Sequence, residues 1–450
     1  MKQWTLGVAG ALALTAGCSQ NAEPEIIDLG EGRFQVALDP AVGTEAPAWL
    51  DGAIEWEYVG QATYMRASDP RRYLPRGAQA VIEDDPPTDT VTRLLNSTME
   101  DEHGRLFRPK HIDTEALQAA VERYNAQVAR DFAPEPSWVL DGFVSDEDPA
   151  PEMGEGTHIP LSWHRIDQDG NGDLDLFRWD ADDRSLVSAP LTDRQEKVVV
   201  YFFGDYLIDH GKCTGTLIGS NFVLTAAHCT LDDTGNNWIY ADDDNPNDGL
   251  TESRRGKVCT RGNYYAGAVC ADVIGRWGNG SWGGVGDMGD DLVVMKIDAN
   301  LGAGNYMALS QASNSTLKDH SAYNIGYPGL TPGGTANTFN CRERNGTALD
   351  RGDPFGGYNE DATAPCSSKQ YWAADEVTYT STKVIGTRVD LSTGHSGGPF
   401  FYYPNGVSPN ASHYLTGVVS GHHNGATEDY NGGPKVPYHR DWIIGIMNAN

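Results

Sequence analysis

The clearest periodic pattern in the first half of the chain lies between Asp113 and Phe132. Apolar residues recur there at helical spacing and therefore share one face. They are Leu117, Val121, Tyr124, Val128 and Phe132. Asp113 suits the N-cap position, because its carboxylate accepts hydrogen bonds from the first N–H groups of a helix. The pattern predicts an amphipathic helix. We expect its apolar face to pack on the protein's own core and not to bind a partner protein.

From about residue 195 the pattern changes to short apolar and β-branched runs separated by turn residues. The runs are 198–203, 214–218, 222–225, 292–297, 383–389 and 414–420. A chain with 52 glycines and 20 tyrosines agrees with many strands and turns. This pattern of many short strands and turns predicts an all-β barrel or sandwich. Residues 440–444 predict a short C-terminal helix.

The preceding part differs, since residues 19–185 contain no cysteine and carry proline- and acid-rich stretches at 83–87 and 133–136. A chain of 450 residues is also longer than the chains that typically fold around a single hydrophobic core. We therefore expect a mixed N-terminal region over 18–194 and a β domain over 195–450. The N-terminal region is either a removable pro-segment, with Arg178, Arg184 and Arg194 as cut sites, or a lasting accessory domain.

Residues 1–17 indicate a targeting signal. Lys2 precedes a short apolar stretch from Leu6 to Ala16, which is too short to span a bilayer in the mature protein. The small residues that lead into Cys18 resemble the lipobox of bacterial lipoproteins. This resemblance implies export with a lipid anchor on Cys18 at the bacterial cell envelope. Ordinary signal cleavage near Ala16, giving a secreted protein, is the alternative.

Charge and cysteine content narrow the function further. A net charge of −30 repels phosphate backbones, which excludes nucleic acid as a partner. Apart from Cys18, six cysteines remain, and an oxidising compartment favours disulfides over metal thiolates. Six cysteines allow many connectivities, and we take the sequence-local one. It pairs Cys213 with Cys229, Cys259 with Cys270, and Cys341 with Cys366.

An acidic loop before the β domain offers oxygen ligands at alternate positions around a glycine turn, as a hard cation requires. The oxygen-bearing residues are Asp167, Asp169, Asn171, Asp173 and Asp175. The loop resembles calcium loops of EF-hand, dockerin and integrin-type repeat proteins. It departs from the EF-hand where Arg178 replaces the bidentate Glu. Structural Ca²⁺ and a solvated acidic turn remain the two interpretations.

Three separated segments carry side chains suited to nucleophilic catalysis. Their sequences are CTGTLI (213–218) with VLTAAHC (223–229), DDLVVMK (290–296) and GHSGGP (394–399). The first segment places His228 after a strand pair, between cysteines. The second places Asp291 at the start of an apolar strand. The third surrounds Ser396 with glycines, which permit a tight bend and close approach of a substrate carbonyl.

Together these segments resemble the chymotrypsin/trypsin-like serine protease family, over roughly residues 195–450. The order His228, Asp291, Ser396 is the chymotrypsin order. The resemblance implies a two-barrel fold with a general base, an orienting carboxylate and a nucleophile in that order. It also implies an oxyanion hole from the N–H groups of Gly394 and Ser396. By the same resemblance, Ser420 corresponds to a serine that supports the aspartate. We expect the backbone of the substrate to pair with the chain at this position.

The chain departs from animal trypsins in two respects and thereby looks more like bacterial members, including glutamyl endopeptidases. His395 replaces the aspartate before the nucleophile, and the usual cysteine near Ser392 is missing. Asp390 lies six residues before Ser396, where a carboxylate selects Arg or Lys in trypsin. His422, with its neighbour His423, could instead favour acidic side chains. Specificity therefore stays open, with Arg/Lys as our first expectation.

We expect an exported serine endopeptidase that hydrolyses proteins or peptides through an acyl-enzyme and needs no cofactor for catalysis. Two other classes share the motifs, namely an inactive protease-like binding protein and an esterase with the same triad. The only expected membrane contact is the anchor on Cys18. The sequence leaves the oligomeric state open.

Overall fold

A computed structural model describes most of the chain outside the first 24 residues. The described residues are 25–50, 52–67, 69, 88–135, 156–160, 185–187, 191, 193–202, 212–241, 255–260, 269–284, 286–302, 304–327, 370–391, 394–407, 412–425 and 429–448. No helix among these residues is long and apolar enough to cross a membrane.

The described part of the N-terminal region combines strands and helices, as expected. Its elements are β1 (Ile26–Gly30), β2 (Arg33–Val36), β3 (Ile54–Gln61), β4 (Tyr64–Arg66), α1 (Thr90–Asn96), β5 (Thr98–Asp101), β6 (Arg105–Ile112), α2 (Thr114–Asp131), β7 (Gly156–Pro160) and β8 (Ser185–Leu186). A 3-10 turn, Ala48–Leu50, lies between β2 and β3.

The first barrel follows a short helix, α3 (Asp193–Glu196). Its strands are β9 (Val198–Phe202), β10 (Lys212–Leu217), β11 (Phe222–Thr225), β13 (Lys257–Thr260), β14 (Cys270–Gly278) and β15 (Val293–Ile297), with β12 (Trp238–Tyr240) outside it. They pair in the order β13-β9-β10-β11-β15-β14, and β14 pairs back onto β13. This last pairing closes the barrel. Two 3-10 turns, Ala227–Cys229 and Met288–Asp290, follow β11 and precede β15.

The second barrel is built from the remaining strands. The elements are β16 (Ala308–Leu309), α4 (Asn314–Lys318), β17 (Ser321–Gly326), β18 (Tyr371–Thr380), β19 (Val384–Thr387), β20 (Pro399–Tyr402), β21 (Tyr414–Val418), β22 (Gly421–Gly425), β23 (Asp429–Pro434) and α5 (Val436–Met447). The order β21-β20-β17-β18-β19-β23 is closed by the Gly417–Lys435 bridge and by the Ser420 N–H, which donates to the Gly432 carbonyl at 2.9 Å. The expected double-barrel fold is confirmed.

The predicted local elements agree well with the structure. Helix α2 begins after Asp113, whose side chain accepts from the Glu115 and Ala116 N–H groups, and the apolar face is buried. Strand β11 has the predicted bounds, and the other runs differ from their strands by a few residues. Helix α5 begins earlier than predicted, because Pro437 stands in its first turn, where proline's missing N–H costs no hydrogen bond.

The N-terminal region is joined to both barrels by backbone pairing. Strand β5 extends the first barrel by pairing antiparallel with β14, and β6 and β3 continue the sheet. Strand β4 pairs with β12 and β8 with β18. The Trp442 Nε1–H of α5 donates to Ser97 Oγ at 2.8 Å. Residues on both sides of position 194 therefore share continuous sheets and one core.

A buried ion cluster joins β5 to the first barrel. The Glu100 carboxylate is fully buried and lies 2.8 Å from Arg255 Nε and 2.9 Å from Arg276 Nε. The Tyr64 hydroxyl donates to the same carboxylate at 2.6 Å. Burial alone would raise the pKa of Glu100, but the two guanidinium groups outweigh it and hold the pKa below its usual range. One carboxylate from the N-terminal region thus neutralises buried charge inside the first barrel.

Replacing Glu100 with Ala should lower the free energy of unfolding by about 3–5 kcal/mol, since it leaves two buried guanidinium groups without a counter-ion. Urea denaturation of the full chain measures this. The matched control is Glu55→Gln, which breaks the exposed Glu55–Lys110 ion pair in the same region and should change little. Equal small effects of both variants would contradict the interpretation that Glu100 ties the region to the barrel.

Candidate active site

His228 is presented by the 3-10 turn Ala227–Cys229, directly after β11. A Cys213–Cys229 disulfide joins this turn to β10, which confirms the first expected pair. Both sulfurs lie within 4.8 Å of an imidazole nitrogen of His228. Because they are bonded to each other, they are not available as metal thiolates. The Cys259–Cys270 pair is also confirmed.

Asp291 reaches His228 because their strands are neighbours in the first barrel. Strand β15 pairs antiparallel with β11, with Thr225 opposite Val293. Asp291 follows the turn Met288–Asp290 and precedes β15. One carboxylate oxygen accepts the His228 backbone N–H at 2.9 Å, and the other lies 2.6 Å from His228 Nδ1. The carboxylate therefore fixes both the backbone and the ring of this histidine.

Ser420 brings the second barrel to the same carboxylate. Its Oγ donates to Asp291 Oδ2 at 2.5 Å, and both residues are buried. Burial alone would raise the pKa of the Asp291 carboxyl. The His228 imidazole and the hydrogen bonds from His228 and Ser420 outweigh burial and hold the pKa below its usual range. Asp291 is thus ionised at neutral pH and acts as an acceptor only.

An ionised acceptor at Nδ1 determines the tautomer of His228. The ring must place its proton on Nδ1 in order to donate to Asp291. In the neutral ring, Nε2 then keeps its lone pair and can accept a proton. Nε2 is buried and has no hydrogen-bond partner among the residues that the structure describes. The geometry therefore produces a base with one oriented, unengaged acceptor nitrogen.

The loop that carries Ser396 is held by a first-barrel strand. The Thr214 N–H of β10 donates to the Ser396 carbonyl at 2.8 Å, and Thr214 Oγ1 donates to the Gly394 carbonyl at 2.7 Å. Gly397 has φ +78°, and a Cβ there would lie 2.0 Å from Thr225 Oγ1. Only glycine fits this position. No local sequence pattern predicts the Thr214 contacts, because they join distant segments.

Ser396 Oγ is buried and, like His228 Nε2, makes no hydrogen bond within the described residues. The serine and histidine are therefore not hydrogen bonded to each other in this structure. Catalytic hydrogen bonds of this kind commonly form or tighten only in the substrate complex. Neither atom is committed to a competing partner among the described residues.

A second buried carboxylate supports the turn that leads into Asp291. Asp290 Oδ2 lies 2.9 Å from Lys383 Nζ, and Asn279 Nδ2 donates to both the side chain and the carbonyl of Asp290 at 3.1 Å. In the sequence, Asp290 is simply the residue before Asp291 in the segment DDLVVMK. Asp290 has a separate structural role. Its ion pair with Lys383, the residue just before β19, holds the turn Met288–Asp290 against the second barrel.

Comparison with known proteins agrees with this arrangement. A family model described as Trypsin matches residues 194–443. The chain belongs to the trypsin family. It is therefore a protease hydrolase, and its substrates are proteins or peptides. No curated protein matches the chain.

Two solved structures resemble this trypsin-family chain. One is a Glu endopeptidase in complex with MPD, at 20% identity and a TM-score of 0.38, covering 58% of this chain and 93% of that chain. The other is neuropsin, a serine protease expressed in the limbic system of mouse brain, at 15% identity and a TM-score of 0.34. It covers 56% of this chain and 95% of that chain.

The residue before Ser396 is the one in which we expected a departure from animal trypsins. His395 is buried, and its ring packs so closely on Gly326 that a Cβ there would lie 2.3 Å from His395 Cδ2. An adjacent glycine, Gly394, has φ +88°. Within the described residues, neither the Gly394 nor the Ser396 N–H donates a hydrogen bond. These are the two groups expected to form the oxyanion hole.

Asp390 and His422 are the residues expected to bind the substrate side chain. A third residue, which the sequence analysis did not identify, connects their two segments. Asp390 is buried and follows Val389, whose carbonyl accepts from Asn431 Nδ2 at 2.8 Å. Asn431 Oδ1 lies 3.0 Å from His422 Nδ1. Asn431 of this trypsin-family domain therefore links the segment of Asp390 to His422. No motif pointed to it, since its partners come from two other segments.

Several expected site residues lie outside the residues that the structure describes. They are the lipidation candidate Cys18, the third cysteine pair Cys341 and Cys366, and the calcium-loop residues Asp167, Asp169, Asn171, Asp173 and Asp175. These assignments stay predictions.

The lowered pKa of Asp291 gives a pH-dependent prediction for Ser420→Ala. Losing a hydrogen bond to a buried charge should lower the free energy of unfolding at neutral pH by about 1.5–3 kcal/mol. A carboxyl with a depressed pKa stabilises the fold above its unfolded pKa, and this contribution disappears as pH falls through the folded pKa. The deficit measured by urea denaturation should therefore shrink below about pH 4.

Thr416→Val is the matched control, because the buried Thr416 hydroxyl donates to the neutral Phe400 carbonyl at 3.0 Å. Its effect on stability should not depend on pH. A Ser420→Ala deficit that is equally independent of pH would show that the serine does not support an ionised Asp291.

Proposed function

We propose that the chain is an exported serine endopeptidase in which Ser396 is the nucleophile, His228 the general base and Asp291 the residue that orients the base. The single observation that supports this most strongly is the Asp291 carboxylate. It lies 2.6 Å from His228 Nδ1 and accepts from Ser420 Oγ, and His228 Nε2 has no hydrogen-bond partner within the part of the chain that the structure describes.

The reaction follows from these positions. Ser396 Oγ attacks the scissile carbonyl carbon while its proton passes to His228 Nε2. The resulting imidazolium is stabilised by the ionised Asp291. The Gly394 and Ser396 N–H groups stabilise the oxyanion, each worth about 3–4 kcal/mol. The C–N bond breaks as His228 returns the proton to the leaving amine. Water, activated by the same base, then hydrolyses the acyl-enzyme.

Replacing Ser396 with Ala should abolish labelling by an organophosphonate and lower casein hydrolysis by about 10⁴–10⁶-fold. The control Ser315→Ala removes an exposed hydroxyl in α4 and should keep both activities. Labelling that persists in Ser396→Ala would overturn the nucleophile assignment. An absence of hydrolysis in the wild type would favour a protease-like binding protein, and turnover of esters alone would favour an esterase.

For the side-chain preference, we propose Arg or Lys, because Asp390 is a buried carboxylate near His422 and Asn431. Glutamyl specificity is the alternative, with His422 as the group that faces the acidic side chain. Asp390→Asn should lower cleavage after Arg and Lys by at least about a hundredfold on a peptide library. His422→Gln should keep that preference. A preference for Glu that is lost in His422→Gln would support the alternative.

Export and calcium binding complete the proposal. Residues 1–17 would direct export, with a lipid on Cys18 at a bacterial envelope or a secreted product. The loop at 167–175 would bind structural Ca²⁺. Mass spectrometry of the mature N-terminus tests the first part. Thermal melting with Ca²⁺ or a chelator tests the second, since a bound ion raises the melting temperature.

A further inference from the structure

Strand β22 begins at Gly421, immediately after Ser420, and thus runs outward from the triad carboxylate. In the described sheet, β23 pairs with one of its edges. The other edge presents backbone N–H and C=O groups, and it begins two residues after Val419, which pairs with Gly397 and Gly398 of the Ser396 loop. Such an edge binds an extended peptide by adding it as a further strand. A protein substrate that pairs with β22 would be led toward Ser396.

This edge is already covered by the chain itself. Residues Gly156–Pro160 form β7, which pairs antiparallel with the whole length of β22. The register runs from Gly425 opposite Gly156 to Gly421 opposite Pro160. The chain direction therefore carries β7 toward Ser420 and the triad. Both the extended conformation and the position are those that a bound peptide would need.

The burial of the catalytic groups agrees with an occupied site. Ser396 is 0% exposed and His228 is 3% exposed. A nucleophile must be reached by a polypeptide backbone before it can act. In this structure almost none of either residue is exposed to such a substrate.

We infer that residues 156–160 are an intramolecular inhibitor that binds the β22 edge in the manner of a substrate strand. The inference rests on the proposed protease function and adds a regulatory step to it. Strand β7 must leave β22 before a protein substrate can pair there. The described N-terminal elements from β1 to α2 need not leave, because they pack on the core and none of their strands pairs with β22. Inhibition and structural support therefore reside in different parts of the N-terminal region.

The first test is the full-length variant Thr157→Pro/His158→Pro. Alternate residues of a strand direct their N–H groups to the same neighbour, so adjacent prolines remove one pairing N–H whatever the phase. Organophosphonate labelling of Ser396 and hydrolysis of casein should both accelerate at least about tenfold. Hydrogen exchange of the amides of residues 421–425 should accelerate as well.

The matched control is Ile26→Pro/Ile27→Pro in β1, an exposed strand at the edge of another sheet. It should leave labelling and exchange at 421–425 unchanged. A folded Thr157→Pro/His158→Pro protein with wild-type labelling and exchange would overturn the inference. So would equal acceleration in the β1 control, because opening would then be unspecific.

A second variant holds β7 in place. Thr157→Cys/Asn424→Cys puts cysteines at directly opposed positions of the two strands. The new disulfide should form under oxidising conditions and suppress casein hydrolysis, and mild reduction should restore it, with wild-type protein treated identically as the control. A disulfide that does not form, or that forms without inhibition, would contradict the inference.

The two proposals fail in different ways. If Ser396→Ala retains labelling, the protease assignment fails. Hydrogen exchange at 421–425 and disulfide formation need no catalysis, and they still report whether β7 occupies the β22 edge.

Discussion

The structure of the site depends on the hydrogen bonds that the Asp291 carboxylate accepts. The carboxylate is buried, and a buried charge is tolerated only with close donors. Two of these come from His228 in the first barrel, and the third comes from Ser420 in the second. Satisfying one carboxylate therefore brings both barrels together at the position where the histidine must be oriented. The orientation of the His228 ring and the stability of the fold therefore depend on the same contact.

Much of this arrangement could be predicted from the sequence, because its signals are local. The pattern around α2, the strand runs and the segments of His228, Asp291 and Ser396 each lie within a few residues of one another. The segments could also be matched to a family whose fold was known. Secondary structure, the double barrel and two disulfides followed from them.

The rest depends on contacts between distant segments, which no local pattern records. Thr214 holds the Ser396 loop from another barrel, and Glu100 reaches its arginines across more than a hundred residues of sequence. Asn431 likewise bridges two segments near Asp390. These residues lie in unremarkable sequence, so only the assembled fold reveals them. The composition of residues 19–185 likewise did not reveal that the described strands of this region share sheets with both barrels.

The central claim is that Asp291 holds His228 as the tautomer with its proton on Nδ1. Nitrogen NMR of protein labelled at histidine measures this directly in the neutral form, with the His228 signal assigned from its loss in His228→Gln. The account predicts a protonated Nδ1 in a short hydrogen bond and an unprotonated Nε2. A neutral ring with its proton on Nε2 would contradict it, because Ser396 would then have no base.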